Sequence, residues 1–200
     1  MSTYALVTKA DAGAVSDAVG TGRVGGFVVA DPLGTIVLFD PPTRSAASTG
    51  RLAKPARHVV QTTGAPAWLL LADEVLAEAV MIDQAGDLSL QWVAGWEPSD
   101  DPARYLADRQ EWDGHCREIA DRYGEPKRAA DLCMVRNDPV PGVEPTPLPE
   151  MLRRLCRVFD LPDTAVGRSL LHGDEPGLYD AERVEPAPPG GVWQRLFART

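Results

Sequence analysis

Cysteine, histidine and lysine are all scarce in this 200-residue chain. It holds three cysteines, three histidines and, among its 20 basic residues, three lysines, Lys9, Lys54 and Lys127. Cys116, Cys133 and Cys156 cannot all pair with one another, and separations of 17 and 23 residues fit neither a disulfide framework nor a zinc ribbon. Free thiols in a reducing compartment are the expectation. Few lysines beside many Ala, Gly and Pro point to a GC-rich genome, which concerns codons and not chemistry. No apolar run approaches the ~18 residues of a membrane span. Met1-Ser2-Thr3-Tyr4 lacks the basic start and apolar centre of a secretory signal, so a cytoplasmic protein is expected.

Positive charge is also short. The net charge is -9, and it is unevenly spread. Residues 1–66 hold six bases against four acids, and the remainder holds 14 against 25. An acidic chain repels phosphate backbones, so nucleic acid is not an expected partner. The chain is long enough to bury a core without disulfides or metals.

The centre of the sequence is Pro66 to Trp96. Leu88, Leu90, Trp92, Ala94 and Trp96 fall on alternate positions, the period of a strand with one buried face. Ala85-Gly86-Asp87 carries a glycine where the chain must reverse, so a hairpin is expected, with Trp68 to Ala72 as a third strand. Earlier, Thr3–Thr8, Gly25–Ala30 and Thr35–Phe39 read as strands. Asp31-Pro32-Leu33-Gly34 has type I turn chemistry between the last two. Asp11 is placed to cap a helix over Ala12–Val19. Thr43 to Gly50 reads as a loop, and Leu52 to Thr63 as a helical turn or two.

After Trp96 the pattern turns helical. Ser99-Asp100-Asp101-Pro102 is a helix start, and Tyr105, Trp112, Cys116, Ile119 and Tyr123 form one apolar stripe of about six turns. Tyr123-Gly124-Glu125-Pro126 stops it. A short helix within Lys127–Arg136, an extended connector from Asn137 to Pro149 and a helix over Pro149–Phe159 follow. The fold expected is α+β: a mainly antiparallel N-terminal β-sheet over residues 1–97, packed on one face against helices of residues 99–172, as a single domain. Residues 173–200 are expected to form an acidic Pro/Gly-rich tail, weakly ordered through Gly191 and ending in a short apolar element.

Few local patterns carry chemistry. Gly20-Thr21-Gly22-Arg23-Val24-Gly25 has the letters of a dinucleotide fingerprint, but it lies between a helix and a strand, the reverse of the required order. The acid pairs Asp73-Glu74, Asp100-Asp101 and Asp174-Glu175 sit at turns or helix starts or in the tail, so no general acid or base is assigned. His115, Cys116, Cys133, Cys156 and His172 show no close ligand spacing, and neither a metal nor a cofactor is expected.

Two candidate sites remain. One is the basic, hydroxyl-rich stretch from Thr43 to His58, where Arg44, Arg51, Lys54 and Arg57 could bind a phosphate or carboxylate. The other is Trp193, Leu196 and Phe197, an apolar face that either folds back on its own core or docks into a partner. The leading functional expectation is a non-catalytic protein that binds another protein, through an acidic helical surface or through its C-terminal element. The alternative is an enzyme or small-anion binder using residues 44–58.

Overall fold

The computed structural model describes residues 2–41, 49–138, 142–171 and 181–186. In chain order the elements are β1 (Thr3–Thr8), α1 (Ala12–Thr21), β2 (Gly26–Asp31), β3 (Gly34–Phe39), α2 (Thr49–Thr63), β4 (Ala67–Ala72), β5 (Leu76–Asp83), β6 (Gly86–Val93), α3 (Pro102–Arg122), α4 (Ala129–Cys133), α5 (Leu148–Val158) and β7 (Glu182–Val184). The seven strands form one sheet in the order β6-β5-β4-β1-β3-β2-β7, and every pairing is antiparallel. The fold is α+β.

Alternation along the strands sorts the core into two layers. Tyr4 and Leu6 of β1, Leu69 of β4 and Val80 of β5 face α1 and α2. Ala5, Val7, Trp68, Leu70 and Met81 face the opposite way, toward α3, α4 and α5. Both faces of the sheet are therefore covered, where helices on one face only were expected. The difference comes from α2. It begins at Thr49 rather than Leu52 and buries Leu52, Ala53, Ala56, Val59 and Val60 against the sheet. A 15-residue amphipathic helix is long enough to close that face together with α1. Pro55 sits inside it rather than near its start, so one backbone donor is missing from the helix interior.

The hairpins are fixed by aspartates. Asp83 Oδ1 accepts from the N–H of Ala85 (2.7 Å) and Gly86 (3.0 Å), and the turn closes on Gly86 at φ 135°. Asp31 Oδ1 accepts from Leu33 N–H at 2.9 Å. There the closing residue, Gly34, has φ 147°, and a Cβ would stand 2.3 Å from the Thr8 carbonyl oxygen. Asp73 Oδ1 accepts from both Val75 and Leu76 at 2.8 Å, and these bonds hold its carboxyl below the usual carboxylate range. β6 ends at Val93 and not Trp96: Gly95 takes φ 68° and Trp96 N–H turns back to the Val93 carbonyl. Trp96 leaves the strand there.

α1 is capped by Asp11, as its sequence implies, and α3 by Asp101, whose Oδ1 accepts from Ala103 N–H at 2.9 Å. Cys116, Ile119 and Tyr123 of the α3 stripe are buried, whereas the first half of the helix is largely exposed. Trp68, fully buried, lies against Phe159 and Tyr123, with ring centroids 5.2 and 5.8 Å away. Glu182–Val184 pair with β2 as a strand that the composition of residues 173–191 does not announce. It is pinned by Arg183, which pairs with Asp40 (2.6 Å) and lies over the Phe27 ring. No described helix is long and apolar enough to cross a membrane.

Candidate functional site

Two concavities flank the sheet, and the larger is a groove of about 780 Å³ between the β6 edge and α3. Its walls follow from how two tryptophans are held. Trp92, on the α3-facing side of β6, donates its indole N–H to the Val135 carbonyl at 2.9 Å. Trp112, on α3, donates to the Cys133 carbonyl at 3.2 Å. The rings meet edge to face, 6.2 Å between centroids. Buried indoles need acceptors for their N–H, and here the acceptors are the end of α4 and the residues after it. Residues 133–135 are thereby tied to β6 and α3 together. Arg136, Asn137 and Asp138 follow directly and line the groove.

α3 is fixed along the same edge. His115 Nε2 lies 2.8 Å from the Ser89 carbonyl oxygen. A carbonyl only accepts, so Nε2 carries the proton in this contact. At the far end Arg122 donates to both oxygens of Asp83 (2.6 and 2.9 Å) and to the Gly86 carbonyl (2.9 Å). This pair holds the Asp83 carboxyl below its ordinary range.

The polar centre of the groove is short of acceptors. Tyr105 and Arg109 lie one helical turn apart on α3, and Arg109 Nη1 donates to the Tyr105 hydroxyl at 3.1 Å. Arg109 Nη1 and Arg136 Nη2 reach the same oxygen of Asp138, at 3.5 and 3.4 Å. Strong guanidinium–carboxylate bonds are nearer ~2.8 Å. Among the described residues, Arg109 Nε, Arg136 Nε and Arg136 Nη1 are buried without an acceptor. Trp96 and Val93, each 42% exposed, form part of the rim, along with Asp108, Glu111 and Glu118.

The second concavity, about 420 Å³, lies between the end of α1 and α2. Arg23, Lys54 and His58 line it with Val19, Phe39 and Val59, and among the described residues no carboxylate does. His58 Nε2 and Thr21 Oγ1 are 3.2 Å apart. Of the basic stretch, Lys54 and His58 line this cavity. Lys54 reaches the cavity from a helix, not from a loop. Arg57 does not join it: its guanidinium pairs with Asp87 of β6, and that bond raises its pKa further. Arg44 lies outside the described residues. Arg51 belongs to α2, but its side chain lies outside them too. Trp193, Leu196 and Phe197 also fall outside the described residues.

The remaining patterns resolve into structure. Gly20–Gly25 leads from α1 into β2. All three cysteines are free. Burial pushes the Cys116 thiol up and that of Cys156 up to about 12, so neither is a ready nucleophile. Among the described residues no group of three or more His, Cys, Asp or Glu could hold a metal ion. The aromatic–arginine groove itself was not legible in the sequence. Tyr105, Arg109 and Trp112 share one face of α3, but Arg136 and Asp138 meet them only through the tertiary fold. Comparison with known proteins finds no matching family model, no matching curated protein and no matching solved structure.

Proposed function

We propose that this chain is a non-catalytic binding protein whose recognition surface is the groove between β6 and α3, and whose partner is another polypeptide. The observation that supports this is the make-up of that groove. Trp92, Trp96, Trp112, Tyr105, Arg109 and Arg136 gather in one concavity. Trp, Tyr and Arg are the residue types that dominate binding energy at protein interfaces, because each combines a broad apolar surface with a directed polar group. Two of these indoles are already anchored by hydrogen bonds, so a partner would meet rigid walls and lose little entropy in ordering them. The free thiols fit a reducing, cytoplasmic setting.

The test is site-specific photo-crosslinking with the full chain. A photoreactive residue replaces Val93 on the groove rim in one version and Val75, 64% exposed at the β4–β5 turn, in another. A polypeptide that crosslinks at position 93 and not at 75 is then purified and titrated against Trp96→Ala. Weakened binding supports the reading. Equal crosslinking at both positions, or binding that ignores Trp96, overturns it.

A second reading is favoured by one specific observation. The smaller cavity presents Arg23, Lys54 and His58 with no carboxylate among its described lining residues. That suits a small anion such as inorganic phosphate. Phosphate raising the melting temperature of the wild type but not of Lys54→Ala would support this reading, since ligands stabilise the state they bind.

A further inference from the structure

We infer that the β6–α3 groove is a receptor for a side-chain carboxylate of the partner polypeptide, an Asp or Glu set beside an apolar residue and seated between Arg109 and Arg136. This rests on the groove being the recognition surface and adds what it recognises. Two guanidinium groups share a single carboxylate oxygen of Asp138, at 3.5 and 3.4 Å. Three of their N–H-bearing nitrogens are buried with no acceptor among the described residues. Buried unmade hydrogen bonds to charged donors are unfavourable, and an acceptor arriving at this point relieves them. The Arg109 side chain is 34% exposed, so it has room to re-aim toward an incoming group.

The surroundings choose the acceptor. Asp138 already supplies one negative charge at the centre, and Asp108, Glu111 and Glu118 stand around the rim. A dianionic phosphate meets more repulsion there than a monoanion does. A planar carboxylate also matches the fork of a guanidinium. Trp96 and Trp112 beside the arginines give the residue next to that carboxylate an apolar seat.

Three short probes separate the outcomes: acetyl-Trp-Glu-amide, acetyl-Trp-Gln-amide and acetyl-Trp-phosphoserine-amide. Each is titrated to millimolar concentration into the full isotope-labelled chain, following the indole N–H signals of Trp96 and Trp112 and the Nε–H signals of the arginines. The Glu probe is expected to shift the Trp96, Arg109 and Arg136 signals and to bind about tenfold more tightly than the Gln probe, as loss of a charged hydrogen-bond partner implies. The phosphoserine probe is expected to bind more weakly than Glu. Arg109→Gln and Arg136→Gln should each erase the Glu-over-Gln preference. Arg109, being part-exposed, supplies the folded variant if Arg136→Gln loses its signal dispersion. Equal binding of Glu and Gln probes overturns the carboxylate assignment and leaves the groove reading standing. Tighter binding of phosphoserine overturns it in favour of a dianion, and no shift from any probe also overturns it. The groove reading itself falls only to the crosslinking result or to partner binding that ignores Trp96→Ala.

Discussion

Arg122→Gln isolates the contact that sets α3 against the β5–β6 hairpin, and so frames the groove. Arg122 makes three donations, two to Asp83 and one to the Gly86 carbonyl, at 2.6 to 2.9 Å. The two side chains are 24% and 16% exposed, so water screens the pair only in part. A hydrogen bond to a charged group contributes roughly 1.5–3 kcal/mol net when buried, and an exposed ion pair under ~1 kcal/mol. An intermediate setting gives about 2 kcal/mol for the whole contact. Asp83 keeps its bonds from Ala85 and Gly86 in the variant, which limits the loss. For a chain of this size that corresponds to a fall in Tm of about 4–8 °C. The sign with pH follows from Asp83, whose native carboxyl is depressed, mainly by Arg122. Its stabilisation is complete above the unfolded value near ~3.9 and disappears as pH falls through the lower native value. Wild type and variant should therefore differ fully at neutral pH and converge in strong acid. Thermal melts of wild type, Arg122→Gln, Asp83→Asn and the double variant would measure it. A Tm unchanged at neutral pH, or strictly additive losses in the cycle, would refute the reasoning.

Other expectations rest on single residues. Trp68→Ala should cost about 3–5 kcal/mol, because the ring is fully buried against Phe159 and Tyr123; Trp68→Phe should cost far less, since it also removes an indole N–H that has no acceptor among the described residues, and chemical denaturation compares the two. Gly34→Ala should destabilise by more than ~1 kcal/mol, as the new methyl meets the Thr8 carbonyl at φ 147°, whereas Gly114→Ala, in open space on α3, should stabilise by up to ~1 kcal/mol in the same melts. Thiol labelling of the native protein near neutral pH should be slow throughout, with half-buried Cys133 modified before Cys116 and Cys156, which a time-resolved mass measurement would follow.

What the sequence revealed depends on the range of the interaction that carries it. β6 is legible from the alternation of Leu88, Leu90 and Trp92, and the β5–β6 turn from Gly86, because both signals act within a few residues. α3 is legible from its Asp101 cap and its stripe. α2 is longer than its local sequence implies, since Thr49 and Gly50 look like loop residues and Pro55 looks like a start; burial of Leu52, Ala53 and Ala56 against the sheet outweighs those local preferences. β7 was not legible at all. Glu182-Arg183-Val184 has no apolar alternation and is held by pairing to β2 and by Arg183 with Asp40, contacts more than 140 residues apart in sequence. The groove belongs to the same class. Trp112 reads as one more core position on the stripe, and only the bond of its indole to the Cys133 carbonyl shows that it holds the end of α4, three residues before Arg136.

The most direct test of the account is the dissociation constant of the partner recovered by crosslinking at position 93, measured against wild type, Trp96→Ala and Lys54→Ala. Loss of an aromatic side chain that contacts the partner can weaken binding by about tenfold. The account predicts that loss for Trp96→Ala and unchanged affinity for Lys54→Ala. The reverse pattern, with Trp96 dispensable and Lys54 required, would contradict it and move recognition to the opposite face of the sheet.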